Sequence, residues 1–369
     1  MAKFSIATNF DLNFLKEIER LNRKYSPSEI IEVYGSMPVS LVGSGRSYVG
    51  LPKISARDLA DHIKHAHNFG LEFNYLMNAP KYRNFQDAAW KKQVYQFISY
   101  LKNIEVDSIT IADESLVKYV RKNFPNIPVH VSLVAGIDSP KEAKSFSDLG
   151  VNSITLNQHT TNRNINKIKE IINIVDCPIK LYANVSCLQD CPMRDEHYAW
   201  LGSLSKEVSS NIKPGADHFI LWCENKYMEN PIELLRSPFI RPEGLGLYEQ
   251  IGVDFFKLSD RREPTNALVK LLEAYMSRIY HGNLFSLLFR DDRKWTNAVK
   301  NIIDEKSLGD TAIYIDNDKL TELNFDQKVI TLKADNLKTF YKMATNKAVK
   351  GISDQKTKNF HVKLHSIGK

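Results

Sequence analysis

The chain is poor in cysteine, with four in 369 residues. In a reducing compartment so few are more often metal ligands or thiols than disulfides. Long apolar runs are missing, and no stretch approaches the ~18–20 residues needed to cross a bilayer. The N-terminus, MAKFSIATNF, lacks the apolar core of a secretory signal. The expectation is a cytoplasmic protein with no membrane span. Internal repeats and low-complexity tracts are absent too. No GxGxxG opens a helix after the first strand, which argues against a dinucleotide-binding open sheet.

What is present is an ordinary globular composition, 43% hydrophobic and 25% charged, with a formal net charge of +7. Much of that excess lies in the last forty residues, which are rich in lysine. A solvated surface accounts for it, and RNA or another polyanion is the sharper alternative. No recognised nucleic-acid motif accompanies it.

Short apolar runs alternate with amphipathic segments, the pattern of βα units. Strands are expected at Lys3–Thr8, Glu29–Gly35, Leu71–Asn78, Asp107–Asp113, Pro128–Val134, Asn152–Asn157, Pro178–Asn184 and Val253–Ser259. Segments such as SARDLADHIKHAHNFG and DAAWKKQVYQFISYLK fill the gaps as helices. Eight units in order predict a (β/α)8 barrel over residues 1–284, with a small α+β extension over 285–369. Within the extension, DTAIYIDN and KVITLKAD read as strands and NLKTFYKMATNKAVK as a helix. The end, from about Asp354, is expected to fray. The unit after the seventh strand is enlarged, from Cys187 to about Val253, and such a loop commonly forms the site.

That enlarged unit begins in PIKLYANVSCLQDCPMRDEH, Pro178 to His197. Cys187 and Cys191 follow the expected strand, and Cys223 lies in a further apolar run, FILWCEN. Thiols just beyond the C-terminal ends of buried strands sit where α/β folds keep their chemistry. An iron–sulfur cluster, zinc or metal-free buried thiols are all compatible with this spacing. Cys177 precedes the strand, so ~20 Å of extended chain separates it from Cys187.

Polar residues at strand ends are the next candidates. Lys257 stands inside the apolar run VDFFKLS, where a buried ammonium needs a partner such as Asp260 or an acidic substrate. Lys257, Asp260 and His159 are the candidate catalytic groups. Asn74, Asn78, Asn157 and Asn184 end strands and are candidate substrate contacts. So are Arg46 and Tyr48 in the glycine-bearing loop GSGRSYVGLP, with Arg194 and Arg261. Glycine permits close backbone approach, and arginine binds carboxylate or phosphate in a bidentate way. Each of these could instead cap a helix or satisfy loop backbone.

The segments NVSCLQDCPMRDEHY, WCEN and SPFIRPEGLGLYEQIGVDFFKLSDR, with EVYGSMP and LEFNYLMNA earlier, resemble the collagenase-like family of unassigned peptidases. Its relatives include the iron–sulfur proteins of oxygen-independent ubiquinone hydroxylation and of tRNA uridine hydroxylation. The resemblance covers roughly Lys3 to Leu284. It implies a barrel with a 4Fe–4S cluster held by Cys187, Cys191 and Cys223. Those relatives use four cysteines. Here the fourth ligand would be Asp190, His197 or Glu224, or one iron would be open and able to act as a Lewis acid.

The function expected from this resemblance is oxygen-independent hydroxylation of a small molecule, a peptide or an RNA base. A chain with a reduced ligand set would alternatively serve as a non-catalytic scaffold or electron-transfer subunit of a related heteromer. A peptidase-like hydrolase is the third possibility, although no Ser-His-Asp or Cys-His arrangement can be read from the sequence.

Overall fold

The computed structural model describes residues 1–80, 87–206, 217–290 and 313–350. Eight parallel strands close into a barrel in sequence order, β1 (Lys3–Ala7), β2 (Glu29–Gly35), β3 (Glu72–Met77), β4 (Ser108–Ile111), β5 (Val129–Val131), β6 (Ser153–Thr155), β7 (Ile179–Tyr182) and β8 (Phe255–Leu258). The sheet closes between β1 and β8, with Ser5 beside Lys257. Nearly every strand residue is buried, which is why these strands read as dense apolar runs. Among the described residues no helix is long and apolar enough to cross a membrane.

Helices cover the outside, and their starts are written in the sequence. Asp11, Ser55, Asp87, Asp113, Ser139 and Asn157 each accept a hydrogen bond from a first-turn amide, and Ser55 and Ser139 complete capping boxes with Asp58 and Glu142. β5 is shorter than expected because Ser132 caps a 3-10 turn over Leu133–Ala135.

Two apolar runs behave differently from expectation. FILWCEN lies in a helix, His218–Glu229, started by Asp217, whose side chain accepts from the Phe219 and Ile220 amides. KVITLKAD is likewise no strand, since its first half ends the helix Phe325–Thr331. The other extension strand is a short one, Tyr314–Ile315, paired with Val349–Lys350, and the predicted helix is Ala334–Ala348. The tail from Asp354 lies outside the described residues.

Residues 313–350 share the apolar core of the barrel through Ile315, Leu320, Phe325 and Ala344. Two arginines lock them to it. Arg241, 1% exposed, bonds Asp326, Asn317 and Thr321. Arg163 donates to the Tyr341 hydroxyl and stacks over Phe239 and Phe325.

Candidate active site

The barrel interior carries a charged floor. Glu32 on β2 reaches Lys180 on β7 and His130 on β5, strands that are not its neighbours, so these side chains point inward. Glu32 accepts from Ser5 and, at 3.0 Å, from Asn74, while Lys180 Nζ lies 3.3 Å from Oε1. Burial raises the Glu32 pKa, but its basic neighbours, Lys180 first, and the Ser5 hydroxyl outweigh it and hold the carboxyl at about 2. His130 is 3.7 Å from Glu32, yet burial and the Lys180 charge push its pKa down to about 3. It is therefore a neutral ring, sharing a 2.6 Å hydrogen bond with Ser153, and not an ion-pair partner.

Above this floor, toward the C-terminal ends of the strands, three basic side chains meet. Lys257 Nζ lies 3.7 Å from the centre of the Tyr34 ring. None of the hydrogen bonds among the described residues involves that amine. Burial lowers its pKa to about 7, opposed by Glu32 and assisted by the charges of Lys180, Arg261 and Arg46. Arg261, 5% exposed, donates to Ser36 Oγ at 2.7 Å and to Ser44 Oγ at 3.3 Å. Hydroxyls do not neutralise it. Burial, then the Arg46 charge, bring its pKa down to about 10. Arg46 is half-buried among Tyr182, Tyr198, Cys187 and Tyr34. Burial opposes its charge, but these surroundings leave its pKa raised. Such a set, with Glu32 as the carboxylate acting on Lys257, attracts anions.

The cysteine loop forms the adjoining wall. Asn184 and Ser259 exchange side-chain-to-backbone hydrogen bonds, which fixes where the chain leaves β7. His159 Nδ1 faces the Leu188 carbonyl at 2.9 Å. A carbonyl can only accept, so Nδ1 carries the proton of a ring that burial keeps neutral, with a pKa of about 4. Gln189 donates back to the His159 carbonyl. Arg194 donates to the Leu133 carbonyl at 2.7 Å and holds the start of helix Arg194–Ser203 against the turn after β5. Cys191 lies near Cys223. That neighbour, opposed by burial and helped by the Met193 amide, His197 and Arg194, lowers the pKa of the Cys191 thiol. Cys187 sits beside Arg46 and Tyr198. None of the cysteines is in a disulfide.

The donor set can be weighed as a metal site on these facts. Three thiols on one loop and its facing helix, in cationic surroundings, suit an iron–sulfur centre chemically. Cys191 and Cys223 are neighbours, whereas among the described residues no three His, Cys, Asp or Glu side chains converge as ligands. His197, one candidate for the fourth ligand, bonds Asp217 at 3.1 Å and stacks on Phe219. Cys177 lies at the opposite end of β7, beside Ser147.

The structure thus sorts the expected residues. Arg46, Arg261 and Lys257 come together at the mouth. Asn78 ties the glycine loop down, accepting from the Gly45 amide and donating to Ser132. Tyr48 lies in that loop, half-buried. Asn157, Asn184, His159 and Arg194 hold backbone in place, and Asn74 belongs to the floor, bonded to Glu32 and Thr110. Asp260 accepts from the Arg262 amide. Sequence reasoning missed Glu32, Lys180, Tyr34, Tyr182 and Tyr198. The signal was there for two strands: Glu32 and Tyr34, like Lys180 and Tyr182, alternate in otherwise apolar runs, the period of one strand face.

Comparison with known proteins bears on this site. The family model described as peptidase family U32 matches residues 43–182. An uncharacterized protease of Methanocaldococcus jannaschii is 32% identical over 278 residues, 75% of this chain and 80% of that one. The tRNA hydroxylation protein P of Haemophilus influenzae is 23% identical over 141 residues, 37% of this chain and 31% of that protein. Its Escherichia coli counterpart is 24% identical over 155 residues, covering 38% and 32%. Among solved structures, a U32 peptidase superposes with a TM-score of 0.53 at 17% identity, over 72% of this chain and 94% of that one, a likeness of fold.

Proposed function

The chain belongs to peptidase family U32, and from that membership we propose that it is an enzyme of the oxygen-independent hydroxylase type. The observation that carries this reading is the nearness of Cys191 to Cys223, on the wall of a barrel mouth that also holds Cys187. Cys187, Cys191 and Cys223 would hold a 4Fe–4S cluster, which when bound would supply electron transfer or activation of an oxygen donor. The chain's own residues do the rest. Arg46 and Arg261 bind and orient an anionic group, and Lys257 holds or releases a proton at Nζ. The tyrosines of the mouth exclude water around it. Relatives bearing the name tRNA hydroxylation protein P favour an RNA base as the acceptor.

The test is anaerobic purification with iron and labile sulfide counted per chain, followed by nucleoside mass spectrometry of tRNA from cells with and without the gene. The reading expects bound iron and sulfide, and loss of a nucleoside one oxygen heavier than its parent. Folded protein with neither iron nor sulfide sinks it. If the cluster is present but the chain is isolated only with a catalytic relative, the scaffold or electron-transfer role replaces the enzymatic one.

One arrangement favours a second reading, the hydrolase. Cys191 has His197 in its surroundings, and His197 is hydrogen-bonded to Asp217. A thiol, an imidazole and a carboxylate in that order are the parts of a cysteine hydrolase. Peptide cleavage by iron-free protein, lost in Cys191→Ser, would establish this role instead.

A further inference from the structure

The cations of the barrel mouth point to a coupled event that the proposed function does not require. Lys257 sits on β8 with its amine over the Tyr34 ring. The charged and titratable groups around it come from every side. Glu32 and Tyr34 face it from β2, Lys180 and Tyr182 from β7, His130 from β5, Arg46 from the loop after β2, and Arg261 from the end of its own strand. His130 is neutral, and Glu32 is already engaged by Lys180. The excess charge at the mouth is therefore positive. Among the described residues Arg261 is held only by serine hydroxyls, and no hydrogen bond takes the guanidinium of Arg46 or the amine of Lys257. Donors of this kind, partly desolvated and without acceptors, are stable only where an acceptor can arrive.

We propose that the mouth is an oxyanion site that takes up a proton as it fills: the carboxylate or phosphate of a small molecule lies between Arg46 and Arg261, and Lys257 becomes protonated against it. The balance is simple. The amine takes one proton from solvent, no covalent bond to carbon or phosphorus changes, and the anion gains a third charge-assisted donor. Burial of Lys257 and Arg261, at 9% and 5% exposure, restricts the ligand to a compact group. The inference rests on the same mouth as the proposed function but needs no metal, so the two fail separately.

The experiment is calorimetric titration of the full chain in two buffers of different ionisation enthalpy, with iron counted on the same sample. The probes are inorganic phosphate and malonate, which separate a phosphate-bearing ligand from a carboxylate-bearing one. With a lysine near pKa 7, wild type should take up roughly three quarters of a proton per anion at pH 7.5. Arg46→Gln should weaken the preferred anion at least tenfold. Lys257→Arg, which keeps a permanent charge, should bind within a few-fold of wild type with no proton uptake. Lys257→Met should lose both binding and uptake. Absence of binding of either anion by folded wild type overturns the proposal. So does proton uptake that persists unchanged in Lys257→Arg. Anion binding with uptake in an iron-free protein supports the proposal while removing the cluster.

Discussion

Glu32 on β2 and Lys180 on β7 stand 3.3 Å apart across the barrel interior, both nearly inaccessible to solvent. Neither charge could be buried alone. Glu32→Ala should therefore cost about 3–5 kcal/mol in urea unfolding at pH 7, since Lys180 is left uncompensated. A loss under about 1 kcal/mol would show that the pair is not an ion pair. The same carboxyl sets an acid limit. Its folded pKa of about 2 lies below the ordinary 4.5, so its contribution is full above pH 4.5 and fades as pH falls toward 2.

Lys257 predicts a slope of the same sign in alkali. Its folded pKa of about 7 lies below the ordinary 10.5. Between these values the unfolded chain binds the extra proton, so the lysine adds stability as pH rises. Unfolding free energies compared at pH 7 and pH 9.5 should rise more for wild type than for Lys257→Met. Equal changes in the two proteins would mean that the amine is charged throughout.

Arg241 joins the barrel to residues 313–350 through Asp326, Asn317 and Thr321. Arg241→Met strands the Asp326 carboxylate and should destabilise by ~3 kcal/mol or more. Lysine cannot form the same fork, so Arg241→Lys should recover little. Limited proteolysis should cut the extension faster in both variants. Unchanged cleavage would show that the apolar contacts alone hold it.

His159 acts on the cysteine loop through Leu188 rather than on a substrate. Its loss leaves a carbonyl without its donor, a cost of about 1–3 kcal/mol. His159→Ala should speed iodoacetamide labelling of Cys187 and Cys191 while Cys177, at the far end of β7, keeps its rate. Parallel acceleration of all three would indicate global loosening.

Much of the fold could be read directly, because strands buried on both sides must be dense apolar runs and caps such as Ser55 and Ser139 are local. The runs around Cys223 and Val329 read wrongly for a physical reason. Short apolar stretches look alike as strand or helix, and the deciding features, the Asp217 cap and packing against the barrel, act at other positions. At the site, Arg46, Lys257 and Arg261 were legible as charges near strand ends. Glu32 as the acid acting on Lys257 was not, because barrel closure, not sequence proximity, brings β8 within one strand of β2. Asp260 was the nearer carboxylate in sequence, but it is turned to the Arg262 amide.

The most direct measurement is iron per chain in anaerobically purified single Cys→Ser variants. The account predicts bound iron in wild type and in Cys177→Ser, and loss of most of it in Cys187→Ser, Cys191→Ser and Cys223→Ser. Iron absent from wild type, or retained in full by any of the last three, would contradict it.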